Sequence, residues 1–225
     1  MALSKIMGIS TANLSKFMGI TKSSIKKIGG ITYDGVVYGV WNPNDKGSEI
    51  TLSSNNTVAT KSGSTGAYTN SGIRSTIGKS SGKWYWEYAY TENAGSNWPV
   101  VGIGNLSANM NNYVGSDANG WGIYATDGDK CHGGVNEDYG TPFAEGDIIG
   151  VALNMDTGKV WFSKNGTWMN SGDPVAGTGE AYSGLTGNIY AFIVIHQPSS
   201  IWTAKFGATA LSYVAPSGYN SGLYS

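Results

Sequence analysis

From residue 36 onward no segment carries the 3.6-residue apolar period of an amphipathic helix. The chain breaks instead into short runs of β-branched and aromatic residues, separated by Gly, Asn and Asp turn pairs. This texture predicts strands at Val36–Trp41, Glu49–Leu52, Thr57–Thr60, Lys83–Tyr90, Pro99–Gly104, Gly120–Ala125, Ile148–Asn154, Lys159–Ser163, Ile189–Ile195 and Ser200–Phe206. Turns are predicted at Asn55-Asn56, Asp127-Gly128, Thr157-Gly158, Asn165-Gly166 and Ser171-Gly172. Many short antiparallel strands with tight turns restrict the fold to an all-β sandwich or barrel. Composition agrees, because 34 of 225 residues are Gly and only 13% are charged.

Alternation assigns the faces. Trp84 and Trp86 share one face of their strand, and Tyr85 and Glu87 the other. The two Trp side chains are large enough to dominate a core, so both are expected to be buried. Ile149, Val151 and Leu153 form an inward row, and Val160 and Phe162 form a second across the turn at Asp156-Thr157-Gly158. Both faces of Ile189–Ile195 are apolar, which predicts a central strand covered on both sides.

The N-terminus differs in kind. LSKIMGISTAN (3–13), LSKFMGITKSS (14–24) and IKKIGGITYDG (25–35) repeat with a period of 11. Leu3, Leu14 and Ile25 align, as do Ile6, Phe17 and Ile28, and Ile9, Ile20 and Ile31. Three helical turns would fit 11 residues. The Gly in every copy opposes a helix, and Ile followed by Ser or Thr suits a strand and turn better. So short a segment cannot bury its own apolar stripe, and these nine residues are read as an assembly or anchoring surface. The division is therefore an arm at 1–35 and a β-domain at 36–225.

Charge and cysteine content narrow the function classes. Residues 1–33 hold five Lys and no acid, whereas the remainder holds nine basic and fifteen acidic residues. The β-domain thus lacks the basic face of a nucleic-acid binder. Cys131 is the only cysteine, so neither an intrachain disulfide nor a thiolate-rich zinc site can form. No run of 18 apolar residues offers a spanning helix, and no apolar h-region marks a secretory signal.

Residues 38 to 221 resemble the SPRY domain, a member of the concanavalin A-like group of bent antiparallel β-sandwiches. The resemblance is carried in order by Trp41-Asn42-Pro43, Ser81-Gly82-Lys83-Trp84-Tyr85-Trp86-Glu87, Val101-Gly102-Ile103-Gly104 and Gly120-Trp121-Gly122-Ile123-Tyr124. It continues through Gly146-Asp147-Ile148-Ile149-Gly150-Val151, Ser163-Lys164-Asn165-Gly166, Lys205-Phe206-Gly207 and Pro216-Ser217-Gly218-Tyr219. The resemblance implies a module that holds a protein or peptide with loops at one end of the sandwich. Related lectin-like folds bind sugars, and fold does not choose between the two. The lysine-bearing repeats ahead of a Gly-, Ser-, Asn- and Tyr-rich β-domain resemble structural proteins of tailed bacteriophages.

Catalytic constellations are weak. No Gly-x-Ser-x-Gly elbow occurs. Cys131 and His132 are neighbours on one strand and point to opposite faces. Glu87 stands alone among aromatics, which suits a hydrogen-bonded structural acid better than one of a glycosidase pair. Gly102-Ile103-Gly104 lacks the third glycine and the helix of a nucleotide loop. Asp117, Asp127, Asp129, Glu137 and Asp138 lie in loops but show no calcium-loop spacing. No cofactor and no metal are expected. The candidate ligand-binding residues are Trp98, Tyr113, Asp117, Asn119, Asp129, Asn136, Tyr139 and Trp168, because aromatic faces beside Asp and Asn suit sugar rings and protein hot spots alike.

The expected protein is a non-enzymatic virion component assembled in the host cytoplasm. Its arm would bind other virion proteins and build a homo-oligomer, a trimer by preference. Its outward domain would bind a host-surface glycan or protein, as a tail fibre or a capsid decoration. No nucleic acid and no membrane insertion are expected. The alternative is a cellular protein-binding SPRY adaptor, with a carbohydrate-active enzyme behind it. Light scattering on the full chain and on a 34–225 fragment tests the arm. Loss of oligomeric mass on truncation is expected, and an unchanged mass excludes an assembly role.

Overall fold

A computed structural model describes residues 36–63, 66–92 and 98–225, and in the first 35 residues the backbone of six two-residue strands. These are β1 (Lys5–Ile6), β2 (Ile9–Ser10), β3 (Lys16–Phe17), β4 (Ile20–Thr21), β5 (Lys27–Ile28) and β6 (Ile31–Thr32). They pair antiparallel in twos, with Lys5 opposite Ser10, Lys16 opposite Thr21 and Lys27 opposite Thr32. Each copy of the 11-residue repeat thus carries the same hairpin. Leu3, Leu14 and Ile25, expected in the assembly surface, lie outside the described residues, as do the side chains of the other six. Contacts divide the chain into two compact units, Tyr38–Tyr224 forming the larger.

The larger unit contains β7 (Trp41–Lys46), β8 (Ile50–Ser53), β9 (Val58–Lys61), β10 (Gly72–Lys79), β11 (Lys83–Glu92), β12 (Val100–Gly104), β13 (Gly120–Tyr124) and β14 (Lys130–His132). It continues with β15 (Val135–Glu137), β16 (Ile148–Asn154), β17 (Lys159–Lys164), β18 (Thr167–Trp168), β19 (Ile189–Val194), β20 (Ile201–Lys205) and β21 (Asn220–Ser221). Among the described residues these make two sheets. The seven-stranded sheet runs β15-β14-β13-β12-β19-β10-β7. The other runs β18-β17-β16-β11-β20-β9-β8, with β21 added in parallel to β11. This is the expected bent all-β sandwich. Among the described residues, no helix is long and apolar enough to cross a membrane.

The space between the sheets is filled by the inward rows. Ile149, Val151, Leu153, Val160 and Phe162 are fully buried there, as alternation predicts. Trp41 stacks on Tyr88 at 5.9 Å, and Tyr90 stacks on Trp202 at 4.3 Å. β19 sits in the middle of its sheet, flanked by β12 and β10, as its two apolar faces predict. Trp84 departs from expectation. Trp86 is fully buried, but Trp84 is only half-buried. Its indole donates to the Ser81 carbonyl at 2.7 Å, and the Lys79 ammonium lies 3.4 Å from its ring centroid. Trp84 therefore closes the core at the start of β11, where polar neighbours can reach it.

Each outer face is covered by an irregular segment. Over the seven-stranded sheet, Ala108, Met110, Tyr113 and Val114 of the β12–β13 loop pack on Val100, Tyr124, Cys131, Phe192 and Val194. The loop is pinned by Arg74, the chain's one Arg, which is 2% exposed. Its guanidinium donates to the carbonyls of Leu106 at 3.1 Å and Ala108 at 2.7 Å, and forks onto Asp45 at 2.9 and 3.0 Å. Over the eight-stranded sheet, Leu211, Ala215 and Tyr219 pack on Tyr85, Ala152 and Trp161. That segment is held by Glu87, which is fully buried. Its carboxylate accepts the amides of Ser212 at 2.7 Å and Tyr213 at 2.8 Å, and the Tyr85 hydroxyl at 3.0 Å.

Glu87→Gln turns one acceptor into a donor facing an amide, and leaves a buried N–H unmatched. The expected cost is about 2 kcal/mol, read as a melting temperature lower by roughly 4–8 °C. An unchanged melting temperature would show that apolar packing alone holds the covering segment.

Candidate functional site

The sequence places two turns and one long connection at the same corner of the sandwich. Asn165 and Gly166 join β17 to β18 with φ of 49° and 79°, which only a short polar residue and Gly accept at low cost. The turn is fixed from outside. Asn165 Oδ1 accepts the Ile148 amide at 2.9 Å, and its Nδ2 donates to Asp147 Oδ1 at 2.6 Å. Asp147 Oδ2 accepts the Ala144 amide at 2.8 Å and pairs with Lys164 at 3.1 Å. Lys164 also donates to the Pro142 carbonyl at 2.7 Å. One carboxylate thereby ties the β15–β16 connection to the β17–β18 hairpin. Burial acts to raise the Asp147 pKa, but the Ala144 amide, the Asn165 side chain and the Lys164 ammonium outweigh it and hold it below the ordinary carboxylate value.

This bracing leaves two adjoining hollows that share Lys164. One, of about 500 Å³, is lined by Tyr139, Gly140, Thr141, Asn165, Thr167, Trp168, Met169, Asn170 and Ser171 as well. The other, of about 340 Å³, is lined by Ala125, Thr126, Pro142, Phe143 and Ala144 besides. Trp168 is half-buried and meets Tyr85 edge-on at 6.1 Å, so part of its indole remains open to the hollow.

The expected ligand residues are distributed unevenly around this region. Trp168 and Tyr139 line the same hollow, but Tyr139 is buried, with its hydroxyl donated to the Gly179 carbonyl at 3.2 Å and its ring in the main core. Asp129 lies on the β13–β14 turn behind Gly140, whose amide donates to the Gly128 carbonyl at 2.9 Å. Trp98 is 51% exposed and precedes Pro99, whose carbonyl accepts the Ala125 amide at 3.0 Å. Asn136 is exposed on the edge strand β15. Tyr113, Asp117 and Asn119 belong to the covering loop instead. Tyr113 packs edge-on against Tyr68 at 5.7 Å, and Asp117 accepts the amides of Asn109 and Asn119 at 2.9 and 2.8 Å. Asn119 Oδ1 accepts from the Asn105 side chain at 3.0 Å. These three groups serve their own loop. Lys164, Asn165, Asp147 and Thr141 were not among the expected site residues.

The other polar candidates resolve structurally. Cys131 and His132 do point apart. The thiol is buried beside the Gly115 carbonyl at 3.5 Å, and burial pushes its pKa up to about 11. His132 stacks on Trp121 at 5.0 Å, and its Nδ1 lies 2.8 Å from the Gly120 carbonyl. Glu87, sealed under residues 211–219, cannot meet a sugar. Among the described residues, no group of three His, Cys, Asp or Glu side chains is placed to hold a metal ion.

The geometry defines an antiparallel sandwich that presents a loop-built hollow. The SPRY domain family model matches residues 83–208, and the chain belongs to that family. It is 29% identical over 171 residues to Ran-binding protein 10 of Danio rerio, a stretch covering 74% of this chain and 27% of that protein. It is likewise 29% identical over 171 residues to Ran-binding protein 9 of Homo sapiens, covering 74% of this chain and 22% of the relative. The chain thus spans about a quarter of the length of these curated relatives. The SPRY domain of human HERC1 superposes with a TM-score of 0.56 at 18% identity, covering 73% of this chain and 96% of that one.

The lowered Asp147 pKa sets a pH dependence. A depressed carboxyl contributes stability above its unfolded pKa, about 3.9, and that contribution is lost as pH falls through the folded pKa. The Ala144 amide resonance is expected to move in that acid window in the wild type. In Asp147→Asn that transition is expected to be missing and the melting temperature lower at pH 7. An Ala144 titration that survives the substitution would place its origin elsewhere.

Proposed function

We propose that the domain is a non-enzymatic, protein-binding SPRY module that holds a segment of a partner in the hollow beside Trp168. The observation that carries this reading is the half-open indole of Trp168 in a hollow braced by Asp147, on a fold whose relatives are named for protein binding. Aromatic side chains in such loop hollows dominate binding energy because they bury much area at little entropic cost. Those names support the adaptor alternative over the virion reading, and the kind of partner they support is a protein. Selection of the full chain against a displayed library of random linear peptides tests it. Enriched peptides are expected to bind Trp168→Ala at least about tenfold more weakly, with the melting temperature little changed. Failure to enrich any peptide, with a signal on a glycan array instead, would replace the reading with a lectin.

A second reading, a component of a virion assembled in the host cytoplasm, rests on the repeated arm. A protein-binding domain alone gives no reason for three successive hairpins at a period of 11 residues. The mass measurement on the 34–225 fragment bears on it directly, because an arm that builds no oligomer removes its main support.

A further inference from the structure

His196 lies just past the end of β19 and carries the second of the chain's two imidazoles. Its Nδ1 is buried and has no hydrogen-bond partner among the described residues. In the neutral ring Nδ1 is an idle acceptor, whereas protonation makes both nitrogens donors. The proton would then sit on a buried N–H with nothing to receive it, which costs more than an idle lone pair. A neighbouring charge adds to the cost. Lys61, at the end of β9, has a fully buried side chain whose ammonium donates to the His196 carbonyl at 2.9 Å and to the Ala67 carbonyl. Glu49 pairs with that ammonium at 3.3 Å. Burial first, and then the Lys61 charge, hold the His196 pKa below the ordinary imidazole value. The other titratable neighbour, Tyr68, meets the ring edge-on at 4.6 Å. Burial, then Tyr113 and Cys131, push its phenol up, so it stays neutral.

The segment over this ring is lightly held. The Ala67 amide donates to the His196 carbonyl at 3.1 Å, and Gly66 lies so close that a Cβ there would be 3.2 Å from His196 Cε1. Tyr68 donates its hydroxyl to the Trp98 carbonyl at 2.8 Å and packs edge-on against Tyr113 at 5.7 Å. Its carbonyl accepts the Ser71 hydroxyl at 2.6 Å. None of residues 66–68 belongs to a strand, so no ladder secures them. Beyond them the chain is anchored again. The Asn70 amide donates to Asn111 Oδ1 at 3.0 Å, and its carbonyl accepts the Glu49 amide at 3.0 Å. Asn70 has a φ of 54°, a turn conformation. A segment held by a few local bonds can open without the rest of the domain.

We propose that residues 66–68 form an acid-released flap: protonation of His196 lifts them from the sandwich about Asn70 and uncovers Tyr113. The sign follows from the two states. With the flap closed, the imidazole binds its proton more weakly than with the flap open. Closure is therefore indifferent to pH above about 6.5 and weakens as pH falls below it. The surface released is aromatic and apolar, Tyr68 and Tyr113 with Met110 beside them, of the kind that dominates protein contacts.

Hydrogen exchange on the full chain, corrected for the pH dependence of the intrinsic rate, tests it. The Ala67 amide is expected to lose protection between about pH 7.5 and about pH 5, while the β19 amides keep theirs. The nuclear Overhauser contact between the Tyr68 and Tyr113 rings is expected to weaken over the same range. His196→Gln is expected to remove the pH dependence, and His132→Gln to keep it. Ala67 protection indifferent to pH would overturn the proposal. So would a loss shared with β19, which is acid unfolding of the whole sandwich, and a loss that survives His196→Gln, which passes the role to the Glu49–Lys61 pair. The His196 ring protons of the wild type give a reading independent of any variant. They are expected to titrate below about 6.5, and a midpoint above it would overturn the proposal.

Discussion

A charge inside each sheet governs how the sandwich is closed. Glu87 stands on the outer face of β11 and Arg74 on the outer face of β10, each almost free of solvent. Neither can remain there unpaired, because burying a lone charge costs several kcal/mol. Glu87 is satisfied by the backbone of the segment covering it and the Tyr85 hydroxyl, whereas Arg74 pairs with the Asp45 carboxylate and also donates to its covering loop. Ser212 and Tyr213 give amides to the anion, and Leu106 and Ala108 give carbonyls to the cation. A long irregular segment has no ladder of its own, so its polar groups need such partners if it is to lie over apolar side chains.

The same logic, on a smaller scale, builds the hollow. Asp147 is a third carboxylate satisfied by loop groups, here the Ala144 amide, the Asn165 side chain and Lys164. It differs from Glu87 in being partly exposed and in spacing its partners apart. Glu87 draws its segment down onto the sheet. Asp147 holds a connection and a hairpin at fixed distance, and leaves room between them. A rigid rim of this kind lets binding energy go into contact rather than into ordering loops.

The sequence spoke clearly where a strand is buried and alternates. Ile148–Asn154 has the predicted limits, and the flanking strands shift by a residue or two. It is silent for Gly72–Lys79, the strand between β19 and the edge strand β7, because Gly72, Arg74, Ser75 and Thr76 give it no apolar period. Arg74 reads as a solvated residue until the covering loop is known. The strand expected at Val36–Trp41 falls instead at Trp41–Lys46, since Asn42, Pro43 and Asn44 have poor strand propensity, and an edge position tolerates them. The site was legible in part for a related reason. Aromatic content pointed to Trp168, but Tyr113, Asp117 and Asn119 are chemically indistinguishable from binding residues until their own loop is seen to use them.

Motif residues and the proposed binding residues therefore occupy different positions at this corner. Gly146-Asp147 and Asn165-Gly166 identify the family because the brace demands them: a turn with positive φ, an amide side chain that reaches two partners, and a carboxylate between them. A brace of that kind specifies that a hollow exists and says nothing about its contents. Trp168 carries no structural demand of comparable strength, since its side chain is not fully buried. Such positions are free to change without loss of the fold. A family likeness drawn from the brace therefore carries the shape of the site from one member to another, whereas the chemistry of the ligand must be read from the unconstrained positions of each chain.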